Sequence, residues 1–215
     1  MRRVYWEVSI LIVASVAIAS ALLYPQSPDR IPIHWNIKGQ IDNYGSKTLG
    51  VFLLPSILVL LLGLFAVLPK LTPKTMSMEG FKDTYAYIIM ISIGMLAFVH
   101  TLTLLAVTHH AVDFPKTMMM ALYVGMALMG NMLGKVTRNP YVGIKVYWTL
   151  KSDAVWNATH RLGAWIITGG GMVGAIMVAC GLPLAFTFIP LVVMVVVPIT
   201  YSFLLYRRLQ ARGEL

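Results

Sequence analysis

Charge is what this chain has least of. Only 12% of its 215 residues are charged, whereas a water-soluble domain carries about 25% to keep its surface wetted. The shortage excludes an ordinary soluble globule. The chain is 58% hydrophobic, with a mean hydropathy of +0.77, so lipid is the expected cover for most of its exterior. Acidic residues are scarcer still: 8 Asp and Glu stand against 17 Lys and Arg, a net charge of +9. In a soluble protein that excess would suggest nucleic acid. In a membrane chain it reports orientation, and no direct nucleic-acid partner is expected. The single cysteine, Cys180, rules out an internal disulfide and lies in an apolar stretch that suggests no thiolate chemistry.

The apolar runs are long. Six segments have the length of a membrane span, at about 5–24, 50–68, 84–108, 117–133, 162–180 and 184–206. The fold class expected is therefore an all-α integral membrane protein, a six-transmembrane-helix bundle, with one membrane domain taking up the whole length. Arg2 and Arg3 before an apolar run, with Ala17-Ile18-Ala19 beyond it, imitate a signal peptide; a retained helix is expected instead.

Basic residues set the orientation. With the N-terminus inside, the inner segments hold Arg2, Arg3, Lys70, Lys74, Lys82, Lys135, Arg138, Lys145, Lys151, Arg161, Arg207, Arg208 and Arg212. The outer segments hold only Arg30, Lys38, Lys47 and Lys116. A ratio of 13 to 4 puts both termini in the cytoplasm of a plasma-membrane protein.

Two connections exceed what linkage requires. In the outer loop, 25–49, Ile31, Ile33, Trp35 and Ile37 alternate with Pro32, His34, Asn36 and Lys38, a period-2 pattern. Asn43-Tyr44-Gly45 adds turn chemistry, so a short extracytoplasmic strand or hairpin is expected. In the inner loop, 134–161, Asn139, Pro140 and Gly143 are turn formers. Ser152 is a good N-cap for a helix starting at Asp153, whose charge suits the helix N-terminus. Trp156, His160 and Gly163 then share one face at i, i+4 and i+7. Taken singly, the basic and Trp residues also fit a plain interfacial anchor on anionic lipid.

The inner run Arg138-Asn139-x-x-x-Gly143-Ile144-Lys145-x-x-Trp148-Thr149-Leu150-x-Ser152-Asp153-x-x-Trp156-x-x-Thr159-His160-Arg161-x-x-Gly163 resembles the SdpI family of bacterial membrane proteins. The outer Pro32-Ile33-His34-Trp35-Asn36-x-x-Gly39, with Pro55 in the next span, is similar to the small domain of unknown function that usually precedes that region. The resemblance implies an N-terminal module, 1–70, and an SdpI-like region, 71–215. It implies immunity to a secreted peptide toxin outside and a cytosolic transcriptional repressor held at the membrane inside. Partner-binding residues would then be Arg138, Asn139, Gly143, Ile144, Lys145, Trp148, Thr149, Leu150, Trp156, Thr159 and His160, with Pro32, His34, Asn36 and Gly39 outside. Asn139, Pro140 and Gly143 would shape the loop, and Arg138 and Lys145 would present charge. Trp148, Thr149 and Leu150 would form an exposed wedge, while Trp156 and His160 tie the loop to the fifth span. Two positions depart from the pattern: Lys145 stands where Arg is usual, losing bidentate geometry, and Asp153 where Glu is common.

Other candidates are weaker. His100 falls in mid-membrane, where an ionisable group is a functional candidate; a neutral imidazole bonded to a neighbouring helix is the expected state. His109-His110 with Asp113, and His34 with Asp42, read as polar loop residues more readily than as metal ligands. No metal, cofactor or catalytic residue is expected. Gly130-x-x-x-Gly134 and Gly170-x-x-x-Gly174 predict close packing of spans four and five. The competing reading is a membrane enzyme or transporter acting on a lipid or small amphiphile. His160 and Asp153 are seven residues and about 10 Å apart along one helix, not a tight acid–base pair. No acidic residue falls at mid-span, as an ion carrier needs. Oligomeric state is not legible.

Overall fold

The computed structural model describes residues 1–36, 40–73, 76, 78–107 and 113–215. Gly39 and the His109-His110 pair lie outside these described residues. The chain is mostly helical, in the order α1 (Arg2–Leu23), β1 (Arg30–Trp35), β2 (Ile41–Ser46), α2 (Lys47–Leu71), α3 (Lys82–Val107), α4 (Phe114–Leu133), α5 (Tyr147–Lys151), α6 (Asp153–Ala179) and α7 (Leu184–Ala211). Among the described residues five helices are long and apolar enough to cross a membrane: those built on α1, α2, α3, α6 and α7. The fourth apolar segment is helical too, as α4, but only 20 residues long. Lys116, Asn131 and its glycines dilute its hydropathy.

The chain divides into two compact units, 1–66 with 89–121 and 67–88 with 122–215. In the first, β1 and β2 pair as an antiparallel sheet, so the expected hairpin forms. Its clean alternation does not. Register shifts fall between Pro32 and His34 and between His34 and Trp35; each inserts an unpaired residue and turns the side chains that follow it. Ile33, left unpaired by the first shift, and His34 are both exposed, while Ile31 and Pro32 are both buried. Proline is tolerated because a two-stranded ribbon is all edge. Ile31 and Val51 form a small core with Tyr24 and Phe52 around it. Gly50 makes this possible: a Cβ there would sit 2.6 Å from Ile31.

In the same unit His100 is fully buried, and its Nε2 lies 2.7 Å from Ser20 Oγ on α1. Ser20 gives its own hydrogen to the Val16 carbonyl, so the imidazole must donate. His100 thus ties α3 to α1, as the sequence led us to expect.

In the second unit, glycines let α4, α6 and α7 approach closely. A Cβ on Gly130 would lie 2.8 Å from the Thr168 amide nitrogen, and one on Gly171 2.7 Å from the Tyr123 carbonyl. The Tyr123 ring packs onto Gly174, and its hydroxyl donates to the Thr187 carbonyl on α7. Gly170 turns to Met194 of α7 instead.

Candidate functional site

Segment 134–152 has little regular structure of its own, so its shape rests on side chains that bond to backbone. Asn139 is fully buried. Its Nδ2 donates to the Thr137 and Val142 carbonyls at 2.8 and 2.9 Å. Its Oδ1 accepts from the Tyr141 and Val142 amides at 2.8 and 2.7 Å. Two donated and two accepted bonds satisfy the amide, and no other side chain of its size can make this set.

Gly143 comes next, at φ +124, a backbone region that favours glycine. A Cβ there would collide with His160 Nε2 and lie 3.1 Å from Trp156. The close approach serves a purpose: the Ile144 amide donates to His160 Nε2 at 2.9 Å. His160 Nδ1 in turn lies 2.8 Å from the Trp156 carbonyl. A carbonyl only accepts and an amide N–H only donates, so the ring must be neutral with its proton on Nδ1. The imidazole stacks on Trp156, centroids 3.9 Å apart, and the Trp156 indole N–H donates to the Val136 carbonyl at 2.7 Å. Both side chains are fully buried. Trp156 is a core residue rather than an interfacial anchor. The third residue of that face, Gly163, lets Ile144 close in, since a Cβ there would be 2.9 Å from Ile144 Cδ1.

Ser152 caps α6 through the Val155 amide, with Asp153 in its first turn, as its sequence dictates. Arg138 grips that end. Its Nε donates to Asp153 Oδ1 at 2.7 Å, a second nitrogen reaches Oδ2 at 3.3 Å, and the third donates to the Leu150 carbonyl at 2.8 Å. Lys145 Nζ donates to the Pro140 and Tyr141 carbonyls at 3.2 and 2.9 Å. Arg138 and Lys145, expected to present charge, thus direct it onto the loop and α6. A lysine suits the second position because it meets two carbonyls as a point charge rather than a carboxylate as a fork.

The expected exposed wedge needs correction. Thr149 is fully buried: its Oγ1 lies 2.7 Å from the Ile144 carbonyl and accepts from the Val146 amide at 3.0 Å. Leu150 and Trp148 are half-buried. Trp148 donates from its indole to Ser202 Oγ on α7 at 2.7 Å and meets Phe203 edge-on at 5.2 Å. Ser202 passes the bond on to the Ile199 carbonyl. Nothing in the motif pointed to Ser202; a lone serine 54 positions away carries no local signal. Thr159 is buried, with no partner for its hydroxyl among the described residues. The basic side chains that the segment leaves exposed, without a bond to the loop's own carbonyls, include Lys135, Lys151 and Arg161. Lys151 lies over the exposed Tyr147 ring, 4.7 Å from its centroid, and the hydrogen bond it donates to the Tyr147 side chain pushes its pKa up.

In the first unit the hairpin tip is bound by Asn36, whose Oδ1 accepts from the Gln40 amide at 3.0 Å. His34 Nδ1 meets Asp42 Oδ1 at 2.5 Å on the exposed side. Trp35 stacks on Phe114, centroids 3.7 Å apart and planes 8° from parallel. Beside them lies a cavity of about 450 Å³ lined by Pro32, His34, Trp35, Leu53, Phe114 and Met118 among others. Among the described residues no group of three His, Cys, Asp or Glu side chains is placed to hold a metal.

Five apolar helices, an amphipathic hairpin and a polar loop bonded onto two helices define a multi-pass membrane protein. Residues 135–202 match the SdpI/YfhL protein family, and residues 10–59 match a domain of unknown function, DUF1648. The SdpI/YfhL match ends at Ser202. It is similar to Immunity protein SdpI of Bacillus subtilis (strain 168), 24% identical over 173 residues, 79% of each chain. No solved structure matches.

Proposed function

We propose that this chain is an immunity and signal-transduction protein of the plasma membrane. It gives resistance to a membrane-active peptide toxin met from outside, and loop 134–161 holds a cytosolic repressor. The reading takes six crossings with both termini cytoplasmic. α4 supplies the sixth, because 20 helical residues span about 30 Å, the thickness of the hydrocarbon core.

The observation that carries the reading is that the polar residues of the loop are bonded inward, which suits a recognition platform of fixed shape. A general base needs a free lone pair aimed at substrate. His160 has none, since Nε2 accepts from the Ile144 amide. Lys135, Lys151 and Arg161 remain as an outward basic surface, fitted to an acidic partner or acidic lipid.

The test is to express the chain in a toxin-sensitive bacterium and follow membrane potential as a membrane-active peptide is added. The potential should hold with the native chain and collapse when 31–39 is replaced by a Gly/Ser linker. The double change Lys135→Glu, Arg161→Glu should abolish co-sedimentation of the cytosolic partner with membranes and leave insertion intact. Unchanged recruitment would remove that surface from the proposal.

A further inference from the structure

Within the first unit, α1 and α3 share a cavity of about 300 Å³, at the lower end of small-ligand sites. Its walls are apolar at Val16, Ala19, Leu23 and Leu104. Three polar side chains interrupt them: Ser15, Thr101 and His100. Thr101 already gives its hydrogen to the Ala97 carbonyl at 2.9 Å, and Ser15 is exposed. Val16, Ala19 and Leu23 flank Ser20 at helical spacing, so the face of α1 that holds His100 is also the face that lines the cavity.

His100 is fully buried, yet only one of its ring nitrogens is occupied. Ser20 gives its hydrogen to the Val16 carbonyl, so Nε2 carries the ring hydrogen and donates it to Ser20. Nδ1 has no partner among the described residues. A positive ring would be stranded there, because the partner it has is a hydroxyl and an uncompensated buried charge is costly. The ring is therefore neutral, and Nδ1 presents a bare lone pair. A buried acceptor left unpaired loses more than the net worth of the bond it could make. Lipid tails have no hydrogen to offer it.

We propose that this cavity binds an uncharged apolar molecule that carries a hydroxyl group. The hydroxyl donates to His100 Nδ1 and, being an acceptor as well, takes the hydrogen of Ser15. A ketone or an ether only accepts and would leave Nδ1 as it is. An ammonium would bring an uncompensated charge among apolar walls. Volume sets the size of the body. An apolar cavity of about 150 Å³ holds one benzene, and this one, at about 300 Å³, suits two fused rings. The assignment stands on the cavity alone and goes beyond the immunity reading without using it.

The probe is 2-naphthol, titrated into the full chain in phosphatidylcholine nanodiscs and followed by nitrogen NMR of isotope-labelled histidines. His100→Gln, whose amide can still donate to Ser20, identifies the His100 signals by their loss. In the free protein Nδ1 should resonate as an unprotonated nitrogen that accepts no bond. 2-Naphthol should move that signal toward the position of an accepted hydrogen bond. 2-Methoxynaphthalene has nearly the same shape and no hydrogen to give. It should leave the signal in place and bind about fivefold more weakly, the worth of one net hydrogen bond. Ala19→Leu, which fills the cavity, should abolish the naphthol response and leave the Nε2 signal and the helical circular dichroism unchanged. An Nδ1 already bonded or protonated in the free protein overturns the proposal, as does a signal that 2-naphthol fails to move up to its solubility limit. Equal responses to the naphthol and its methyl ether, or a naphthol response that survives Ala19→Leu, overturn it too. No toxin or repressor enters this assay, so its failure leaves the immunity reading standing, and failure of the protection assay leaves the cavity assignment standing.

Discussion

Loop 134–161 and the β1–β2 hairpin are both short polar insertions in an apolar chain, yet they are built on opposite principles. In the loop, Asn139, Thr149 and His160 are fully buried, and the bonds of each run to backbone. Removing any one leaves buried groups unpaired, and the cost of that exceeds the net worth of the bond itself. In the hairpin, His34 bonds Asp42 and Asn36 bonds Gln40 at the surface, where solvent can replace each partner. The hairpin instead leaves an apolar space beside it. One insertion keeps its shape; the other keeps room for something else.

The largest effect expected from this contrast is at Gly143. Gly143→Ala introduces a Cβ at φ +124 against His160, and should destabilise the loop by about 3 kcal/mol or more. Hydrogen exchange should show the amides of 137–146 deprotected. Native-like protection of that segment would break the account of the loop.

Asn139→Ala comes next, at about 2–4 kcal/mol, because it orphans two carbonyls and two amides of a tight turn. Asn139→Asp keeps the two accepted bonds and loses both donated ones, so it should fall between native and Ala in thermal unfolding. An Asp variant as stable as native would show that the donated bonds contribute nothing.

Trp148→Phe removes only the indole N–H that reaches Ser202 and keeps the ring against Phe203. About 1 kcal/mol is expected, with exchange rising at 147–151 and not at 137–146. Ser202→Ala should reproduce that pattern, and the double variant should be no worse than the singles. Additive losses would mean that the two residues act separately.

His34→Ala should change stability least, by under about 1 kcal/mol, since its partner is exposed. A drop as large as that of Asn139→Ala would erase the distinction between the two insertions.

Much of this was legible in the sequence because it depends on local pattern. Apolar run length gave the helices and limited the placement of α4, whose Lys116 and Asn131 dilute it. Ser152 before Asp153 marked the start of α6, since capping is settled within one turn. The spacing of Trp156, His160 and Gly163 placed them on one buried face. The lack of an acidic residue in another span left His100 to a neutral bond, met by Ser20.

Tertiary structure decided the rest, for reasons of distance along the chain. Whether Thr149 faced lipid or its own loop depended on where the Ile144 carbonyl arrived. Whether Lys145 met a partner or two carbonyls depended on a turn set by Asn139. Register shifts overrode the alternation of 31–35, because cross-strand register is a pairing decision that neither strand makes alone. The sequence determined which segments leave water for lipid; packing determined which of the polar groups left over would find one another.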